Sequence, residues 1–307
     1  MMEYDALQLS QHVQEILKTE GSGVIHSVFN SSFNVQFGEC LIHVGPIENG
    51  LSPFGIGMSS DDAKRLIGHL TQNDTVAILP QKKTLQFSKN QRLSLKHSQV
   101  FNPLLTAQPI SIDVLLQNRS IMIRELIERK WIGGLVHSET EQAMILQYLQ
   151  QSETAHIGTK TSWLEEIMAL ESLVNHRADE RAKEVFDFWI GRGPGLTPSG
   201  DDMMTGICAS LYLLEEAQHT PFISSLTTYL TDHGKKRTTP VAYEYLLYAT
   251  KGNFHSTILH MCFALRQENH TILKQALEQM EQIGHTSGVD TLLGMLIGLK
   301  AGITLKS

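Results

Sequence analysis

The chain has 307 residues, 41% of them apolar, and a formal charge of −7. That is apolar material enough for two domains with real cores, without disulfide or metal staples. The acidic balance argues against a nucleic-acid partner, since such surfaces bind phosphates through clustered Lys and Arg.

At the N-terminus, "MMEYDALQLSQHVQEI" has no basic segment leading into an apolar run, so no secretory signal is expected. Cys40, Cys208 and Cys262 lie far apart and form no CxxC pair, which argues against both a disulfide framework and a zinc knuckle. A reducing, cytoplasmic setting is the expectation. Residues 23–110 hold short β-like runs ("GVIHSVF", "SFNVQFG", "CLIHVG", "TVAILP", "LQFS") separated by Gly, Pro, Asn and Ser. Within them, Ser59 to Leu70 reads as a helix with Leu66, Ile67 and Leu70 on one face. From Ile112 the apolar period becomes helical in residues 113–131, 139–151 and 162–190. The expected fold class is α+β, with a mostly-β domain at 1–110 and a mainly helical domain at 111–307. The apolar runs Met203–Leu214 and Leu292–Leu305 are shorter than the ~20 residues of a bilayer span, so both are read as core helices and no membrane partner is expected.

The most unusual stretch is "GRGPGLTPSGDD", Gly191 to Asp202, which stops one helix and starts another. Thr197, Ser199 and Asp201 are alternative caps for the second. A helix N-terminus offers unpaired N–H groups and a positive dipole end, and glycines allow close backbone approach, so the construction suits phosphate or carboxylate. Gly-Pro turns and first-turn acids are also an ordinary way to begin a helix.

The stretch has a second copy. "SGDDMMTGICAS" (Ser199 to Ser210) and "SGVDTLLGMLIG" (Ser287 to Gly298) share Ser-Gly-x-Asp and then Asp-x-x-x-Gly. Asp202 and Asp290 fall in the first turns, and Gly206 and Gly294 one turn on, where a neighbouring helix can approach. Two such starts are expected to converge near a pseudo-twofold axis, setting His285, Thr286, Ser287 and Asp290 against Thr197, Ser199, Asp201 and Asp202; an architectural relic is the alternative. A third start has Thr238 or Thr239 as cap and Pro240 at the first helical position, flanked by Lys235, Lys236 and Arg237. Those charges sit beside the positive dipole end, which solvent or a bound anion must offset. Asp201, Asp202 and Asp290 are possible Mg²⁺ ligands, although capping explains the same residues. No HExxH, GxSxG, P-loop or Rossmann pattern occurs.

Taken together, "WIGRGPGLTPSGDD", "TTPVAYEYLLYATKGNF" and "GHTSGVDTLLGMLIGL" resemble the AllH family, and "GLSPFGIGM" extends the likeness into the β region. The resemblance implies a subunit of oxamate carbamoyltransferase, which interconverts oxalurate plus phosphate with oxamate plus carbamoyl phosphate in ureide and allantoin breakdown. It also implies FdrA-like and further carbamoyltransferase subunits as partners. No cofactor is expected, with Mg²⁺ at Asp201, Asp202 and Asp290 as the alternative. The substrate is thus a small anion: carbamoyl phosphate, phosphate or oxamate.

The chemistry needs an anion cradle, donors for a developing oxyanion and a proton donor for the leaving nitrogen. Candidate cradle groups are the N–H groups of Gly195 and of Ser199, Gly200, Asp201 and Asp202, with Gly193, Gly288, Thr238 and Thr239 beside them. Thr197, Ser199 and Ser287 would orient substrate, His285 would transfer the proton, Asp202 and Asp290 would orient those groups, and Arg192 or Arg237 would neutralise the anion. Two other readings stand: a noncatalytic anion-binding or assembly subunit, and Mg²⁺-assisted hydrolysis.

Overall fold

The computed structural model describes residues 2–18, 21–88, 90–136, 138–151, 162–175, 181–216 and 220–306, and divides into two compact units, Met1–Leu104 and Leu105–Ser307. The fold is α+β, with the β unit first and the helical unit second.

The first unit holds β1 (Met2–Ser10), β2 (Gly21–Val28), β3 (Phe33–Phe37), β4 (Cys40–Pro46), β5 (Gly55–Met58), β6 (Thr75–Leu79), β7 (Thr84–Phe87), β8 (Gln91–Ser94) and β9 (Gln99–Phe101). The order β5-β4-β3-β2-β6-β7-β8-β1 closes on itself because β1 also pairs with β5, and β9 lies beside β1. Closure satisfies strand edges that an open sheet would expose. Ile25, Phe33, Val35, Val44, Ile56 and Leu85 fill the interior. β1 lies outside the run read as β. Its acidic Glu3 and Asp5 occupy the solvent side of an alternation that buries Tyr4 and Ala6, and that alternation is the missed signal. Two short helices accompany the barrel, α1 (Gln11–Ile16) and α2 (Ser60–Ile67). α2 is the helix expected there; Ser59 caps it by accepting from the Asp62 N–H at 3.2 Å, and Leu66 is buried.

The second unit comprises α3 (Ile112–Glu128), α4 (Glu139–Gln150), α5 (Ser162–Asn175), α6 (Ala182–Trp189), α7 (Ser199–Leu213), α8 (Pro221–Tyr229), α9 (Lys235–Arg237), α10 (Pro240–Ala249), α11 (Ser256–Leu265), α12 (His270–Glu281) and α13 (Ser287–Lys306). A π turn, Leu230–Gly234, joins α8 to α9. The helical reading over 162–190 corresponds to α5 and α6, while residues 176–180 lie outside the described residues. α7 and α13, the two helices opened by the repeated motif, pack along their length. Gly206 of α7 faces the α13 backbone at Thr291, and Gly294 of α13 faces the α7 backbone at Met203. Each copy therefore uses its glycine to admit the other copy, as the spacing predicts.

α13 is longer than the apolar run suggested. Starting at Ser287, it is long and apolar enough to cross a membrane by length and composition, yet 83% of that span is buried inside the structure, as befits a core helix. It also carries Lys300, buried and bonded to both oxygens of Glu171 at 3.0 and 2.9 Å.

Candidate functional site

Local geometry at the GRGPGLTP loop follows from its glycines. Gly191, Gly193 and Gly195 take φ of 78°, 112° and 95°, values that side-chain-bearing residues rarely adopt. At Gly191 the chain also passes so close to the Arg237 carbonyl that a Cβ would overlap it. The loop enters α7 through Pro198, which occupies the cap position without a side-chain hydrogen bond. None of Thr197, Ser199 and Asp201 caps the helix. Their side chains are committed elsewhere, and that commitment builds the site. At the third start the reading holds: Thr239 caps α10 by accepting from the Ala242 N–H at 3.1 Å, with Pro240 in the first turn.

The α7 and α13 starts meet crosswise. Thr197 Oγ1 and Ser287 Oγ are 2.9 Å apart. Ser287 of α13 and Thr197 lie beside the Asp202 carboxyl of α7, and Ser199 of α7 lies with Thr286 beside the Asp290 carboxyl of α13. Each helix thus lends its first serine to the acid of the other. One contributor was not read from sequence: the Gly133–Gly134 turn between α3 and α4. The Gly134 N–H donates to Asp290 Oδ1 at 2.8 Å, and a Cβ on Gly134 would overlap Ser199 Oγ. The signal was the Gly-Gly pair in "WIGGL", directly after a helix.

Burial raises the Asp202 carboxyl well above the usual range, helped by the charges of Asp290 and Asp201 and opposed by Ser287 and Thr197. Asp290 is raised by burial too, against the pull of Ser199, Gly134 and Thr286. The neighbouring hydroxyls are close enough to favour charge, yet Oδ2 of Asp202 and Oδ2 of Asp290 are buried with no hydrogen-bond partner. A buried carboxylate oxygen in that state is costly unless it is protonated or met by a donor.

Asp201 plays a different part. Its Oδ1 accepts from the Gly191 N–H at 3.0 Å and its Oδ2 from Thr238, so it ties the loop to the start of α10. Burial pushes its carboxyl up to about 6, although the Thr238 and Gly191 bonds oppose the shift. A raised carboxyl releases its proton earlier in the unfolded chain than in the folded one, so stability is highest below the unfolded value and falls as pH rises. Thermal melts of the helical unit are therefore expected to weaken between pH ~4 and ~6. In Asp201→Asn the slope of melting temperature against pH over that window should flatten; an unchanged slope would place the titration elsewhere.

Other expected groups fall into different roles. Three N–H groups assigned to an anion cradle are already used: Gly200 donates to Arg192 O at 2.9 Å, and Asp201 and Asp202 donate to Pro198 O at 2.9 and 3.1 Å. Gly200 and Gly288 serve packing, since a Cβ would overlap the Trp189 and Met280 carbonyls respectively. Arg192 donates to Phe188 O at 2.6 Å and lies 3.9 Å over the Phe188 ring. Arg237 donates to the Asp187 carbonyl, so both arginines turn to the end of α6. Gly193 and Gly195 lie in the exposed part of the loop, with open space around the Gly195 Cβ direction. His285 is exposed in the turn before α13. Among the described residues no group of three His, Cys, Asp or Glu is placed to hold a metal ion, and Asp201 has both oxygens engaged.

The arrangement can accept hydrogen bonds from a small donor-rich ligand through Asp202 and Asp290, or donate a proton to it. Comparison with known families fits both units. Residues 5–100 match the model for the AllH family N-terminal domain, and residues 189–299 match that described as oxamate carbamoyltransferase subunit AllH. The second match spans both helix starts and leaves out the Gly133–Gly134 turn. No solved structure matches the chain. With its barrel covered by one family model and its paired helix starts by the other, the chain belongs to the AllH family of carbamoyltransferase subunits.

Proposed function

We propose that the chain supplies the acid–base part of an oxamate carbamoyltransferase site, in which oxalurate and phosphate yield oxamate and carbamoyl phosphate during ureide nitrogen breakdown in the cytoplasm. The observation that carries this reading is the pair of buried carboxyl oxygens on Asp202 and Asp290 that lack partners. Oxalurate and oxamate are rich in amide N–H groups, the donors such oxygens lack.

In the forward reaction a phosphate oxygen bonds to the carbamoyl carbon and the bond from that carbon to the oxamate nitrogen breaks. The leaving nitrogen takes the proton held on Asp202, and the phosphate's own proton restores it, so charge and protons balance. Raised by burial, Asp202 suits a proton donor, while Asp290, held by Gly134, orients the amide. Ser199, Ser287 and Thr197 supply hydroxyls to the developing oxyanion. Phosphate is repelled by an ionised carboxylate, so its place is outside the pair, at the exposed Gly193–Gly195 backbone and on the FdrA-like and other subunits. His285, exposed beside the cluster, serves as a proton relay to solvent.

The internal use of the Gly200, Asp201 and Asp202 N–H groups also favours a second reading, an assembly subunit whose motif only braces two helices. Phosphorolysis of oxalurate by the reconstituted subunits separates the two. Ser287→Ala is expected to lower turnover at least about tenfold, the worth of one hydrogen bond to a charged group, with assembly and melting temperature retained. Normal turnover in assembled Ser287→Ala, with a chelator arm excluding a metal route, would leave only the bracing role.

A further inference from the structure

The barrel unit carries a cavity of about 370 Å³ at one end of its strands. That is the size class of small-molecule sites and more than an oxamate-sized substrate requires. Its lining is mainly apolar, with Leu9 at the end of β1, Leu17 after α1, Ile78 near the end of β6 and Leu95 after β8, all buried, and Gln14, Thr84 and Ser98 as polar groups among them. Lys83 and Lys96 stand on its rim. A third rim lysine, Lys18, is neutralised by Glu15 at 2.6 Å, whereas neither Lys83 nor Lys96 has a carboxylate partner among the described residues.

The surrounding sequence is as one-sided as the rim. From Thr75 to Ile112 the chain has no Asp or Glu, yet it carries Lys82, Lys83, Lys89, Arg92 and Lys96, in a protein whose net charge is −7. A local excess of cations in an acidic protein is kept against the average composition, and here it borders an apolar hollow. The pattern sorts ligands by chemistry. An apolar wall disfavours a fully solvated inorganic ion, and two ammonium groups without carboxylate partners among the described residues repel a cation and favour an anion over a neutral molecule.

We infer that this cavity binds an organic anion, a phosphate or carboxylate joined to an apolar or aromatic body, with Lys83 and Lys96 on the head group and Leu9, Leu17, Ile78 and Leu95 on the body. It is separate from the carboxyl cluster of the helical unit and does not depend on the function assigned there.

Calorimetric titration of the full chain tests this with three probes: octanoate, AMP and inorganic phosphate. At least one of octanoate and AMP should bind one-to-one, and inorganic phosphate at least tenfold more weakly; which of the two binds tells an acyl body from a nucleoside. Lys83→Gln combined with Lys96→Gln should weaken that binding tenfold or more. Lys82→Gln, which removes one ammonium group from the same segment outside the cavity, should leave it within twofold. Absence of binding by both organic probes, or retention of affinity in the double variant, overturns the proposal. Equal weakening by Lys82→Gln would also overturn it, because a diffuse basic surface would then account for the affinity. Melting curves of the variants confirm that the barrel is folded in each titration.

Discussion

Asp202→Asn is expected to reduce oxalurate phosphorolysis by the reconstituted subunits about 10²- to 10⁴-fold, the range for loss of a general acid, while the melting temperature holds or rises. Asn matches Asp in volume, so the packing around α7 survives. It removes a group whose charged form is disfavoured by burial and by the nearby Asp290 and Asp201. The two readings of this residue therefore separate cleanly. A bracing aspartate would lose stability and keep the activity of whatever remained folded, whereas a proton donor loses turnover alone. The pH profile adds a second readout. The acid form is the active one, so wild-type turnover should fall as pH rises through the elevated value, and that limb should vanish in Asp202→Asn. Asp290→Asn behaves differently, because Asp290 Oδ1 accepts the Gly134 N–H and an amide placed the wrong way round would confront that donor with another. Loss of both turnover and stability is expected there. Full turnover in folded Asp202→Asn would end the proton-donor assignment.

Much of this arrangement was legible because it is local. Apolar alternation and turn residues mark most barrel strands, the change of period marks the helical unit, and the repeated Ser-Gly-x-Asp marks the helices that pair. What sequence could not show was where side chains freed from capping would point. Ser199 and Asp201 sit at positions that ordinarily cap or flank a helix start, and only the third dimension reveals that Pro198 takes the cap position while Ser199 turns to Asp290 and Asp201 to Gly191 and Thr238. Three of the N–H groups expected in an anion cradle are taken up internally for a related reason. Free N–H groups at a helix start are a general expectation, but the tight loop returns Arg192 O and Pro198 O onto them. Gly133 and Gly134 were missed because a Gly-Gly pair after a helix looks like a plain stop, and their value lies in contact with residues more than 60 positions away.

Gly294→Val should strongly destabilise the helical unit, costing about 3 kcal/mol or more, the upper end for over-packing. For a unit of this size that corresponds to a fall of roughly 6–12 °C in melting temperature. A Cβ at this position would overlap the Met203 carbonyl of α7 and lie 2.7 Å from the Met203 Cα. Those are backbone atoms, so no rotamer change relieves the clash and the two helices must separate. Gly206→Val meets the same obstacle from the other side, with the Thr291 carbonyl in its way and Met295 N at 2.7 Å. Gly195→Ala is the control: it also adds a side chain, at φ 95°, but into open space, so it should cost only the ~1 kcal/mol of backbone strain. A Gly294→Val melt no worse than that of Gly195→Ala would show that the helices are not held at glycine distance. Separation has a functional price as well. The Ser199–Asp290 and Ser287–Asp202 pairings sit at the N-terminal end of this same helix pair, and the 2.9 Å contact of Thr197 with Ser287 spans it. A helix shift of 1 Å would break that contact, so the milder Gly294→Ala, even where it folds, should lose turnover out of proportion to its loss of stability.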